Sequence, residues 1–172
     1  MKKFIAGTSI NLRDITLDDV EFIFMLRSDT AKSRYLHTIS PDIAEQYSYI
    51  QRYLTKEKEW YFIIEAKDGE RLGTVRIYDV QEDSFCWGSW LIKDGAPMKT
   101  ALESALLIYE YGFYTVGFTH VHFDVRKGNT RVQKFHESMG VWKTGETDDS
   151  ILYGYSRNAY ENIKARFFKF IH

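Results

Sequence analysis

Cysteine is nearly absent from this sequence: Cys86 is the single one in 172 residues, so no internal disulfide can form and no thiolate cluster can hold a metal. A reducing compartment fits best. Proline is as scarce, with two residues, and beside 44% hydrophobic and 16% aromatic residues this excludes a disordered, collagen-like or linker-rich chain. Charge of one sign is missing too. With 23 basic against 24 acidic side chains the net charge is -1, which removes the broad positive footprint of a general nucleic-acid binder. No apolar run approaches the ~18 residues of a membrane span, and the apolar part of Met1-Lys2-Lys3-Phe4-Ile5-Ala6-Gly7 is too short for a signal peptide. A cytoplasmic protein without stable membrane insertion is expected. Repeats, low-complexity stretches and linkers are also lacking, so residues 1–172 are expected to form a single domain.

What is present alternates between two periods. Ser9 to Arg13 reads as extended, and Thr16-Leu17-Asp18-Asp19 resembles a capping box ahead of a helical face of Val20, Phe22, Ile23 and Leu26. Ser28 to Ile39 reads as a loop. Ser40 can cap a second helix with Pro41 in its first turn, and Ile43, Tyr47, Ile50 and Leu54 recur at helical spacing. Trp60 to Ala66 and Leu72 to Tyr78 form a hairpin around Asp68-Gly69, and Ser84 to Ile92 follows as a third antiparallel strand. Met98 to Phe113 is a helix, His120 to Arg126 a strand, and Thr130 to Met139 a helix closed by Gly140. Trp142 to Tyr155 is a second hairpin. Ser156 caps a last helix with Tyr160, Ile163, Phe167 and Ile171 on one side. The fold class is mixed α/β.

The strand-helix-strand unit from Ile92 to Arg126 can present backbone amides at a helix N-terminus, which favours phosphate. Neither Gly-x-x-x-x-Gly-Lys nor Gly-x-Gly-x-x-Gly occurs, so the triphosphate and dinucleotide fingerprints are absent. His120, His122 and Asp124 alternate on one strand face and could ligate a metal, but nothing completes the set, and satisfied strand residues are the plainer reading. No metal is expected. Trp87 and Trp90, three apart, fall on opposite faces of their strand, so one could stack on a sugar while the other packs in the core. The last helix carries Arg157, Lys164, Arg166 and Lys169 among phenylalanines. Docking on the sheet explains its apolar side better than a membrane surface does.

The order of elements, with Ile10-Asn11-Leu12-Arg13, Leu72-Gly73-Thr74-Val75-Arg76-Ile77, Gly88-Ser89-Trp90-Leu91-Ile92, Val125-Arg126-Lys127-Gly128-Asn129 and Phe135-His136-Glu137-Ser138-Met139-Gly140-Val141, resembles the Gcn5-related N-acetyltransferase (GNAT) superfamily over essentially the whole chain. That resemblance implies a central, mostly antiparallel twisted sheet flanked by helices. It implies acetyl transfer from acetyl-CoA to a primary amine by direct attack. Within the superfamily, Trp87-Gly88-Ser89-Trp90 and the run from Asn129 to Val141 are most similar to bacterial enzymes acting on amino-sugar nucleotides for surface polysaccharide.

Site residues follow from the same likeness. The acyl-carrier loop of the family reads Arg or Gln, two residues, Gly, one residue, then Gly or Ala; here Ala96, Lys99 and Ala101 take those places, and only Ala101 agrees. Lys99 either lends its ammonium to a phosphate or faces solvent. Leu91, Ile92, Lys99, Thr100, Ala101 and Asn129 are the implied acetyl-CoA contacts, Asn129 also being readable as an ordinary helix cap. His136 stands where many relatives carry a tyrosine that protonates the leaving thiolate, work an imidazole can do if its surroundings raise its pKa. A satisfied core histidine is the alternative. No residue stands out as a base. Arg34, Tyr35, His37 and Trp87 fall where the family binds its acceptor, although His37 also reads as a plain exposed loop residue. The expected partner is a small-molecule amine, with a homodimer compatible. Two other functions share the pattern: a protein N-terminal acetyltransferase of the ribosomal-protein type, and a catalytically silent acyl-CoA-binding or partner-binding module.

Overall fold

Aromatic and β-branched residues concentrate in short stretches between polar turns, and these stretches pair into one sheet. The computed structural model describes residues 3–171. The strands are β1 (Phe4–Ala6), β2 (Ile10–Asp14), β3 (Trp60–Ala66), β4 (Arg71–Gln81), β5 (Ser84–Ile92), β6 (His120–Arg126), β7 (Trp142–Glu146) and β8 (Ser150–Ser156). They lie in the order β1-β2-β3-β4-β5-β6-β8-β7. Every neighbouring pair is antiparallel except β5 and β6, which run parallel. The mixed α/β fold with a mostly antiparallel sheet matches the expectation.

The helices are α1 (Val20–Ser28), α2 (Thr30–Ser33), α3 (Ile43–Tyr53), α4 (Lys99–Glu110), α5 (Thr130–Ser138) and α6 (Arg157–Phe167). On one sheet face, Val20 and Ile23 of α1 and Ile50 and Tyr53 of α3 pack with Tyr61 and Ile63 of β3. The larger cluster on the other face joins Phe62, Val75, Phe85 and Trp87 to Leu106, Ile108 and Tyr109 of α4 and Tyr160 of α6. Burying such side chains contributes roughly 1.5–3 kcal/mol each. Glu103 anchors α4 to the sheet: its carboxylate is buried and accepts from the backbone N–H of Ser9 (2.8 Å) and Ile10 (3.2 Å) and from the Ser9 hydroxyl.

The structure departs from the sequence reading in four places. β1 is an added strand at the sheet edge, pairing Phe4 with Arg13. The stretch read as a loop contains α2, because Asp29 accepts from the N–H groups of Ala31 and Lys32 and caps a single helical turn. The second helix starts two residues late: Asp42, not Ser40, is its cap, accepting from Ala44 N–H at 2.9 Å, while Ser40 accepts from Asp42 N–H. Met98 to Phe113 is not uniform, since α4 ends at Glu110 and widens into a π-helical turn, Tyr111–Val116. Gly112 sits in that turn because a Cβ there would meet the Phe85 ring.

Candidate active site

β5 meets its two neighbours differently. Against β4 it pairs from Ser84 to Ile92, but against β6 only Ser84 and Phe85 find partners, opposite His120 and Val121. Beyond Phe85 the two parallel strands separate. The edge of β5 that faces the opening, Leu91 and Ile92 included, keeps backbone groups unpaired in the sheet. A β-bulge accentuates the bend: Thr74 and Arg76 of β4 face Leu91 and Gly88, so two residues of β5, Ser89 and Trp90, oppose the single Val75, and Ser89 takes φ 47°. The Thr74 hydroxyl donates to the Ser89 carbonyl at 2.9 Å and holds the bulge.

The bulge also corrects the placement of the tryptophans. The extra residue cancels the period-2 alternation, so Trp87 and Trp90 share a face, with ring centroids 5.3 Å apart. Trp87 is buried against Tyr109 and His136, and Trp90 donates its indole N–H to Ser104 Oγ at 3.0 Å.

Two connected cavities occupy the opening. The inner one, about 120 Å³, lies between β5, β6 and α5 and is lined by Trp87, Phe123, Asn129 and His136 among others. The outer one, about 440 Å³, extends beneath α1 and α3 and includes Tyr35, His37, Trp87, Arg27, Arg76 and Tyr61 in its wall. Gly88, Ser89 and Asp124 belong to both. Two contacts cross the mouth: Lys32 pairs with Asp94 at 2.6 Å, and the Tyr35 hydroxyl donates to the Gly128 carbonyl at 2.9 Å.

His136 is 4% exposed, with its ring 4.4 Å from Phe123, 5.4 Å from Trp87 and 5.5 Å from Phe135 between centroids. Burial pushes its pKa down to about 4, and Nδ1 has no hydrogen-bond partner. The imidazole is therefore neutral near pH 7; its surroundings lower the pKa that a cationic proton donor would need raised. Cys86 stays a thiol, because burial pushes it up to about 12 with Asp124 and Asp79 adding to the effect. A thiol that hard to ionise is no nucleophile.

Asn129 occupies the position before α5, yet its side chain makes no cap bond and lines the inner cavity instead. Across the opening, β5 leads through Gly95, at φ 77°, to α4, whose first turn has no side-chain cap. Lys99 there is exposed, its ammonium 6.0 Å from the Phe170 ring centroid; Thr100 is buried with an unpartnered hydroxyl, and Ala101 follows. The Thr100 N–H donates to the Pro97 carbonyl at 2.9 Å, and the uncapped first turn with an unpaired strand edge ahead of it suits a ligand that carries phosphates at one end and amides along its length. Residues 9–141 match the Acetyltransferase (GNAT) domain. The chain belongs to this family.

The solved structure of apo FdhC, a nucleotide-linked sugar GNAT, is 38% identical over 100% of both chains, with a TM-score of 0.91. Two further GNAT structures share the fold: spermidine N-acetyltransferase from Vibrio cholerae with CoA and spermine (15% identity, 90% of this chain and 99% of that one, TM-score 0.80), and a GCN5-related N-acetyltransferase from Brucella melitensis (16%, 98% and 85%, TM-score 0.78). No curated protein matches the chain in sequence. This GNAT is an acetyl-CoA-dependent N-acetyltransferase. No helix among the described residues is long and apolar enough to cross a membrane.

Of the sequence-derived acceptor residues, Tyr35, His37 and Trp87 line the outer cavity, whereas Arg34 is exposed and lies over the Tyr35 ring at 5.3 Å, outside that wall. His120, His122 and Asp124 do not converge: His122 is held by Ser84 Oγ at 2.6 Å and Asp79 at 3.1 Å, and no group of three potential ligands forms a metal site among the described residues. Sequence reasoning missed Arg27, Tyr49, Tyr61, Arg76 and Asp124 as cavity residues. The signal was present for Arg76, a lone cation inside an apolar strand, and for Asp124 and Arg126, alternating on one face of β6.

Proposed function

We propose that this GNAT acetylates the primary amine of an amino-sugar nucleotide. The observation that carries the reading is full-length likeness at 38% identity to a nucleotide-linked sugar GNAT, joined to an outer cavity within the 300–1,000 Å³ typical of small-ligand sites. Acetyl-CoA supplies the acetyl group as a thioester, and the acceptor amine attacks it directly. Leu91 and Ile92 offer the β5 edge to the pantetheine arm, Asn129 meets it from across the opening, and the first turn of α4 at Lys99, Thr100 and Ala101 receives the pyrophosphate. Tyr35, His37 and Trp87 bound the acceptor side, with Arg34 nearer the rim.

Asp124, at the junction of the two cavities and with no hydrogen bond or ion pair among the described residues, takes the proton that the amine loses. His136 acts as a neutral hydrogen-bond donor towards the departing sulfur rather than as an imidazolium. An acetyl-transfer screen that reads free thiol over amino-sugar nucleotides, free amino sugars, polyamines and N-terminal peptides tests the acceptor. Turnover confined to amino-sugar nucleotides is expected. Preferential turnover of polyamines or peptides would overturn the assignment.

A further inference from the structure

The wall of the outer cavity holds polar groups that the fold leaves without partners. Tyr61 and Arg76 are directly opposed on β3 and β4, and Arg76 is opposed in turn by Gly88 of β5, where a Cβ would meet the Tyr78 ring and hydroxyl. Arg76 lies 4.2 Å from the Tyr78 ring centroid and donates from Nη1 to the Tyr49 hydroxyl, while its Nε is buried with no partner. The Tyr61 hydroxyl is also buried and unpartnered, within the fields of Arg27 and Arg76. Arg27 is half-buried on α1 and donates from Nη2 to the His37 carbonyl at 3.0 Å.

Other half-buried arginines of the sheet are neutralised, although Arg157, at the start of α6, has no ion pair among the described residues either. Arg13 and Arg71 share Asp19, and Arg126 pairs with Asp149. Arg27 and Arg76 have no carboxylate at ion-pair distance among the described residues. Two half-buried guanidiniums without a counter-ion, one of them with an orphaned Nε, beside the buried Tyr61 hydroxyl, are unfavourable unless a ligand supplies negative oxygens. Planar guanidinium forks match phosphate geometry better than any other side chain does. Asp124 is the one carboxylate in this wall, and it stands with Arg126 at the junction with the inner cavity.

We infer that Arg27 and Arg76, assisted by the Tyr49 and Tyr61 hydroxyls, form a diphosphate subsite that holds the acceptor by its nucleotide while its amine reaches Asp124. The inference rests on the acceptor class proposed above and adds where its anionic part is recognised. A polyamine would place its charges against two unneutralised guanidiniums, so the same subsite rejects it.

Calorimetric titration of thymidine diphosphate and uridine diphosphate into the full chain, saturated with CoA to occupy the pyrophosphate loop, tests the subsite. Binding at least tenfold weaker in Arg76→Gln and in Arg27→Gln is expected, with thymidine itself about 100-fold weaker than its diphosphate. Should Arg76→Gln lose its fold through the Tyr49 contact, Arg27→Gln and Arg76→Lys decide the question. Unchanged affinity in both folded variants, or nucleoside and nucleoside diphosphate binding alike, would overturn the subsite. Diphosphate binding that depends on these arginines without turnover of any amino-sugar nucleotide would defeat the acceptor assignment alone. Turnover with KM untouched by either substitution would defeat the subsite alone.

Discussion

Two charged clusters built from the same residue types each take an arginine from β4, Arg71 in one and Arg76 in the other. In the first, Asp19 is fully buried and receives Arg13 through two bonds (2.9 and 3.0 Å), Arg71 at 2.8 Å and the Thr16 backbone N–H at 2.8 Å, while Arg13 also reaches Glu65 at 3.0 Å. In the second, Arg27, Arg76 and Asp124 face a cavity and no ion pair among the described residues ties them down. Two histidines differ in the same way: His122 is bonded at both ring nitrogens, and His136 has an orphaned Nδ1. β5 shows the contrast within one strand, sealed along β4 and open along β6. Groups that the fold satisfies hold the sheet together, and those left unsatisfied at the opening are the ones that the proposed ligands would complete.

Breaking the closed cluster should have the largest effect. Asp19→Asn leaves two guanidiniums around a neutral amide, and a loss of about 4 kcal/mol in urea denaturation is expected, as for other broken buried pairs. Diphosphate binding by the protein that remains folded should be unchanged. Next comes pH. The His136 pKa, about 4 in the fold against an ordinary 6.5, means that the unfolded chain takes up a proton first as pH falls. Stability is therefore full above pH 6.5 and declines by roughly 3 kcal/mol as pH drops through 4. His136→Phe should flatten that slope, and it should lower kcat only about tenfold, the worth of one neutral hydrogen bond. Asp19, held down to about 2 chiefly by Arg13 against the opposing effect of burial, adds a separate loss between about pH 4 and 2 that survives in the His136 variant.

In the open cluster, Asp124→Asn should reduce kcat/KM by about 10²-fold near pH 7, with the deficit narrowing at higher pH as more of the acceptor amine is already deprotonated. Steady-state rates across pH check this. Smallest is Lys99→Ala, which should weaken CoA binding two- to threefold at low salt and less in ~0.5 M salt, since an exposed ammonium is readily screened. A larger, salt-insensitive loss would mean that Lys99 meets the phosphates in a closed pocket.

The fold was largely legible in the sequence because apolar periodicity and turn chemistry are local. Asp68-Gly69, the Thr16 to Asp19 motif and the Ser156 cap, which accepts from Ala159 N–H at 3.1 Å, are examples. What was illegible depends on contacts across the sheet. The bulge at Ser89 has no sequence mark strong enough to overrule alternation, so Trp87 and Trp90 were separated. The start of α3 turned on a competition between Ser40 and Asp42 for adjacent N–H groups. In the site, the family resemblance pointed to Asn129 and His136, whereas Arg27 and Tyr61, 34 positions apart in the chain, meet only through the packing of α1 on β3. The surroundings of His136 were equally hidden, because the rings that lower its pKa come from β5, β6 and α5 together.

Amide hydrogen exchange with and without acetyl-CoA tests most directly whether the unpaired edge of β5 is the acyl-carrier site. Slowed exchange is expected in residues 88–92, in the first turn of α4 and around Asn129, with none around Asp19. Acetyl-CoA that binds while leaving residues 88–92 unchanged would contradict it.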